Sequence, residues 1–186
     1  MLLNDVKIDV VKLLKNTEFK YSWLTFFVGK KLKIFESEEI IEYAIEQLEK
    51  TEESIYPFVL EVAQYYGSNK IDDSEFSNSL KKLIKATTPD DLKSKEKKDI
   101  EVRKLRYFIL NQIFNLNLKY DALLNALRDV YVLFDGPADM AQLVQFLPLE
   151  QGSRKIFTEE ECHKSRHFRL QKFLDHEKRI LRKERA

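Results

Sequence analysis

Residues 120–137 read YDALLNALRDVYVLFDGP, and this stretch decides the fold class. Tyr120, Leu123, Leu124, Leu127, Tyr131 and Phe134 recur at intervals of three and four, which places them on one face of a helix with polar residues on the other. Asp135-Gly136-Pro137 then stops that helix and starts another. Glycine takes the positive φ that a helix end requires, and proline fits a first helical position because its missing N–H has no partner to lose there. A short helix from Pro137 to about Phe146 is expected, with Pro148 and Gly152 marking a loop.

The same periodicity extends in both directions. Upstream, Leu105, Phe108, Ile109, Ile113 and Leu116 form the apolar half of a long helix whose charged first half is expected to open at Thr88-Pro89. Asp72, with Glu75 three residues on, marks another start and leads into Phe76, Leu80, Leu83 and Ile84. A helix with Pro57 in its first turn and Gly67 after its end carries Ile55, Val59, Val62 and Tyr66 on its inner stripe. Ser37 opens a helix facing inward with Ile40, Ile41, Ala44, Ile45 and Leu48. Tyr21–Val28 reads as an aromatic helix around Trp23 that stops near Gly29, its rings expected in the core rather than around a ligand. At the start of the chain, Val6, Val10, Leu13 and Leu14 predict a helix capped by Asn4, with Leu3 stapled to Ile8. Downstream, Thr158 and Glu161 form a capping box, with Phe157 and Cys162 as its staple, for a final helix. No segment alternates as a strand. The expectation is an all-α protein of about eight or nine helices, packed as an irregular stack of antiparallel pairs. Residues 1–186 read as a single helical domain, with 154–186 a basic C-terminal helix free to fray at its end.

Composition excludes several functions. The four glycines lie at positions 29, 67, 136 and 152, too dispersed for a phosphate-binding loop or a dinucleotide fingerprint. The single cysteine, Cys162, excludes an internal disulfide framework and thiolate-paired zinc sites. Lys and Arg number 32 against 31 Asp and Glu, so the chain is neither a basic coat nor an acidic tail. There is no basic leader before an apolar run and no span of membrane length, which makes the cytoplasm the expected compartment.

Charge is balanced in total but not in place. Residues 36–53 hold eight carboxylates against Lys50 alone, a net charge of −7. Glu38, Glu42, Glu46, Glu49 and Glu53 step by three and four and are expected to share one helix face. Like charges at that spacing repel by about 0.2–0.5 kcal/mol per pair. Such a face either belongs to an ordinary solvated helix or presents a field to a basic partner. Residues 154–186 carry eleven Lys and Arg against six Asp and Glu, net +5, in a helix that reads either as solvated or as a surface for phosphate backbone or an acidic partner. His163 and His167 lie one turn apart with Glu160 before them, a spacing able to chelate a metal, yet without a third ligand they read as solvated groups.

Two resemblances sharpen the reading. Arg169 and His176, with six residues between them, resemble the arginine–histidine motif of helical HEPN-type ribonucleases. That resemblance implies a nuclease or nucleic-acid-binding module using the basic C-terminal helix as the alternative function; a generic adaptor is a further, separate expectation. The second involves Trp23-x5-Gly29, Ile40-Ile41-x-Tyr43-Ala44, and the run from Leu127 through Tyr131, Phe134-Asp135-Gly136-Pro137 and Asp139-Met140 to Phe146-Leu147-Pro148. Together these resemble a family of small all-helical bacterial proteins of unassigned function, some of which look like immunity proteins of polymorphic or contact-dependent toxin systems. The implied function is neutralisation of a cognate toxin domain without chemistry, and so without catalytic residues, cofactor or metal. The acidic face is the expected contact for a toxin with the basic surface of a nuclease.

Overall fold

The computed structural model describes residues 2–3, 6–7, 19–68, 70–145 and 158–184. Among them are eight α-helices, one 3₁₀ turn and a two-residue antiparallel pairing, so the all-α class holds. The chain divides into two compact units, Val10–Leu105 and Met1–Asp9 with Arg106–Ala186.

In the Val10–Leu105 unit, α1 (Trp23–Lys31), α2 (Ser37–Leu48), α3 (Tyr56–Ala63) and α4 (Asp73–Thr87) are followed by the first half of α5 (Lys95–Asn115). Helix α2 packs on α3, α3 on α4, and α4 on α1. Their apolar faces close over Phe26, Phe35, Ile40, Val59, Phe76 and Leu80, all buried. Phe26 and Phe27 of α1 are core, as their spacing predicts, while Trp23 is half-buried. Phe26 stacks on Tyr43 at 4.5 Å and meets Phe35 at 5.2 Å, and Trp23 lies edge-on to Tyr43 at 5.2 Å. Burial pushes the Tyr43 hydroxyl well above its ordinary pKa. A buried polar link ties α1 to α5: Thr25 Oγ1 donates to Glu101 Oε2 at 2.6 Å, and Lys104 Nζ donates to Glu101 Oε1 at 2.7 Å.

Several expectations change in this unit, three of them at helix ends. Helix α1 does not stop at Gly29. It runs to Lys31 and ends through Lys33, which takes φ 58°, while Ile34 N–H donates back to the Gly29 carbonyl at 2.8 Å. The glycine is needed for close packing instead, because a Cβ there would lie 2.3 Å from the Phe35 ring. Thr88-Pro89 does not open α5. Thr88 closes α4, residues 89–93 form a turn, and Ser94 Oγ accepts from Lys97 N–H at the true start. Thr-Pro suits a turn as well as a helix start, and the buried Asp91 carboxylate, bonded to Lys97, holds the turn. Tyr66 is exposed, because α3 ends at Ala63 and the helical period no longer applies; Ala63 is buried in its place. The Asp72 cap forms as expected, accepting from Ser74 and Glu75 N–H at 2.8 and 2.9 Å.

The other unit contains the second half of α5, α6 (Tyr120–Leu133), the 3₁₀ turn Ala138–Met140, α7 (Ala141–Val144) and α8 (Glu159–Lys183). Helices α6, α7 and α8 pack on one another. Leu124, Leu127 and Phe134 are buried, and Met140, Leu143, Leu170 and Phe173 complete the core around them. Leu116 is 42% exposed, because α5 ends one residue before it. The Thr158–Glu161 box closes reciprocally, with Glu161 N–H donating to Thr158 Oγ1 at 3.2 Å and Thr158 N–H to Glu161 Oε2 at 2.9 Å. Near the N-terminus β1 (Leu2–Leu3) pairs with β2 (Val6–Lys7), Leu2 opposite Lys7 and Leu3 opposite Val6. Val6 is therefore in a strand and not in the expected helix. Asn4, the expected cap of that helix, lies outside the described residues. Val10, Leu13 and Leu14, the staples at Ile8 and Phe157, and the Pro148–Gly152 loop lie outside the described residues.

The corner after α6 behaves as its sequence implies. Asp135 and Gly136 both take positive φ, 61° and 62°, and Gly136 N–H donates to the Tyr131 carbonyl at 2.8 Å. Asp tolerates that conformation better than most residues. A Cβ on Gly136 would also meet the Tyr131 phenol at 3.3 Å. Gly136→Ala is expected to cost about 1–2 kcal/mol and lower the melting temperature by several degrees, read by circular dichroism. An unchanged midpoint would mean that this backbone relaxes freely.

Candidate functional site

Helix α2 places Glu38, Glu42 and Glu46 on its solvent face, about 100° per residue carrying them away from Ile40, Ile41 and Ala44 in the core. Glu49 is the C-cap residue and continues that face. Glu53 does not: residues 49–55 leave the helix, with Lys50 N–H and Thr51 Oγ1 both bonded to the Gln47 carbonyl, at 2.9 and 2.7 Å. The expected stripe of five is thus four glutamates on one helix, with the fifth in the following turn. Glu38, Glu42 and Glu49 are exposed and make no hydrogen bond or ion pair with the described residues.

The placement works against the helix that carries it. Carboxylates near a helix N-terminus are favoured by the dipole, and Glu38 and Glu39 sit there, Glu39 accepting from Glu36 N–H at 2.9 Å. At the C-terminal end the dipole favours cations, yet the last turn holds none, and Glu46 and Glu49 occupy that end. Sequence reading missed the apolar border of this face. Ile45, expected inside, is 37% exposed, three residues after Glu42 and four before Glu49. On α3, which packs against α2, Tyr56 and Leu60 are 41% and 43% exposed, one turn apart. The sign was in the sequence, since Tyr56 and Leu60 fall off the Val59–Val62 stripe.

The basic helix α8 is less of a free surface than its charge suggests. Arg166 is buried; its Nε donates to the Leu143 carbonyl at 3.2 Å and Nη2 to the Gln145 carbonyl at 3.5 Å, with the guanidinium 5.1 Å above the Tyr120 ring. Arg169 Nη1 donates to the Gln142 carbonyl at 3.1 Å. Two arginines of α8 thus satisfy carbonyls at the end of the short helix α7. Arg106, on α5, is held by Asp139 through paired bonds of 3.0 and 2.7 Å and donates to the fully buried Glu177 at 3.0 Å. Asp139, quoted above for its motif alone, therefore joins the 3₁₀ turn to α5. Arg169 and His176 lie on one face of α8 about two turns apart; the arginine is bonded to backbone and the histidine is exposed.

The histidine pair is not solvated as expected. His163 and His167 are half-buried, His163 Nε2 lying 3.0 Å from the Leu118 carbonyl and the His167 ring 4.3 Å from Phe114. They line an open cleft of about 850 Å³ between the 117–120 turn and the first turns of α8. Among the described residues no group of three or more His, Cys, Asp or Glu is placed to hold a metal ion.

An all-α protein with no helix, among the described residues, long and apolar enough to cross a membrane is the class that the fold defines. Residues 11–178 match the family described as uncharacterized protein conserved in bacteria (DUF2247), and the chain belongs to that family. No curated protein and no solved structure matches the chain.

Proposed function

We propose that the protein is a cytoplasmic immunity protein that binds a cognate bacterial toxin domain and neutralises it by steric and electrostatic blocking, with no chemistry of its own. The observation that carries this reading is the acidic face of α2. Its glutamates repel one another and oppose the helix dipole at the C-terminal end, and Glu38, Glu42 and Glu49 have no partner among the described residues to offset that cost. A basic partner supplies the missing compensation. Toxin nucleases need cationic surfaces to hold nucleic acid, so occupying that surface blocks them. The half-exposed Ile45, Tyr56 and Leu60 offer apolar contact beside the charge, the combination that interfaces use for affinity and steering.

The test is protection in cells. The immunity reading expects the adjacent gene to encode a secreted protein; the C-terminal domain of that protein is expressed with the wild-type chain or with the variant Glu42→Lys, Glu46→Lys, Glu49→Lys. Wild type should restore growth and the variant should restore much less at equal abundance. Toxicity that the wild-type chain leaves undiminished would contradict the immunity reading.

A further inference from the structure

The cleft between the 117–120 turn and the first turns of α8 lies wholly within one unit and is far from neutral padding. Its base is a staircase of rings. Phe114 supports His167 at 4.3 Å between centroids, and His167 lies nearly parallel to His163, at 6.2 Å and 19°. Tyr120 and Phe168 add two more aromatic walls; Phe168 is 58% exposed, an unusual degree for phenylalanine, with Lys172 Nζ 4.4 Å from its ring centroid. His163 is fixed in place. The Leu118 carbonyl can only accept, so Nε2 carries the proton in the neutral ring and Nδ1 is left as an acceptor. Gln171 donates its amide to Asp175 at 3.1 Å, which leaves its carbonyl oxygen as a second acceptor on the cleft wall. Asn117 adds an amide with both a donor and an acceptor.

The charges in the cleft cancel. Lys119 and Lys164 stand against Glu159 and Glu160, and Lys164 is already paired with Glu160 at 2.6 Å. This balance does not select a phosphate or another strong anion. It suits a flat, uncharged ring with hydrogen-bonding edges. We propose that this cleft is a binding site for a neutral heteroaromatic ligand of nucleobase or nucleoside size, stacked on the histidine pair and Phe168, with its edges read by Asn117 and Gln171. The cleft volume is within the ordinary range for small-molecule sites. Nothing in this inference depends on the acidic face of α2.

The probes are adenosine, guanosine, cytidine and uridine, titrated into the full chain while the imidazole C–H resonances of His163 and His167 are followed by NMR. At least one nucleoside should shift both resonances saturably at sub-millimolar to millimolar concentration. Phe168→Ala and His167→Ala should each weaken that binding about tenfold or more. Phe168 is exposed enough that its variant keeps the fold, which far-UV circular dichroism verifies. No saturable shift with any of the four would overturn the proposal. So would undiminished binding in both variants, or binding of adenosine monophosphate without binding of adenosine, which would assign the cleft to an anion.

Discussion

Glu177→Ala is expected to destabilise the protein by about 3–5 kcal/mol, the largest effect of any single substitution considered. Glu177 is fully buried on α8 and accepts from Arg106 Nη2, and Arg106 itself is buried on α5 beneath the Phe173 ring. Removing the carboxylate leaves a guanidinium out of water with Asp139 as its remaining carboxylate partner among the described residues, and Asp139 is about half exposed. The penalty is sharpened because Arg106 Nε already has no acceptor among the described residues. For a chain of this size the loss corresponds to a fall in melting temperature of roughly 6–20 °C, measured by far-UV circular dichroism. The double variant Arg106→Met, Glu177→Leu should recover much of it, since replacing a buried pair by apolar groups is far less costly than orphaning one member. A loss below about 1 kcal/mol in the single variant would mean that water reaches the cluster.

Gly29→Val is expected to destabilise the Val10–Leu105 unit strongly, and Gly29→Ala to do so by about 1–3 kcal/mol. In an exposed helix the alanine change would stabilise by up to about 1 kcal/mol, so the sign of the result is informative. The added Cβ would lie 2.3 Å from two ring carbons of Phe35, and that ring cannot swing aside because it is 2% exposed and packed on Phe26. Trp23 is the only tryptophan and sits in the same ring cluster, so its fluorescence reads the transition directly. A raised midpoint for Gly29→Ala would refute the close-approach account.

Gly29 also shows where sequence reading reaches its limit. A glycine near the end of an apolar run looks like a helix stop, and nothing local distinguishes that from a glycine needed because a ring passes over the backbone. Features that depend on neighbours a few residues away were legible: the Asp72 and Thr158 caps, the Tyr120–Phe134 stripe and the Asp135–Pro137 corner all formed where the sequence put them. Features that depend on distant partners were not. Charge counting placed Arg166 and Arg169 on a basic surface, whereas they satisfy carbonyls more than twenty residues upstream. Thr88-Pro89 fitted two local geometries, and only the buried Asp91 decides between them. The acidic face was readable because like charges repeated every three or four residues leave little ambiguity about which side of a helix they occupy. Its end at Glu49 was not, because the turn that follows has no glycine to announce it.

The immunity reading makes the glutamates of α2 a steering surface, and the association rate of the cognate toxin domain as a function of ionic strength tests this most directly. The triple variant Glu42→Lys, Glu46→Lys, Glu49→Lys should keep the fold, because these side chains lie on the solvent face, and the change removes repulsion and places cations at the helix end whose dipole favours them. Binding should move the opposite way. The wild-type rate should be fast at low salt and fall steeply as the screening length shortens toward about 8 Å, while the variant should associate at least about tenfold more slowly at low salt and lose the dependence. Two proteins with the same rate and the same salt dependence, both still binding the toxin, would show that the acidic face is solvated surface and that the contact lies elsewhere.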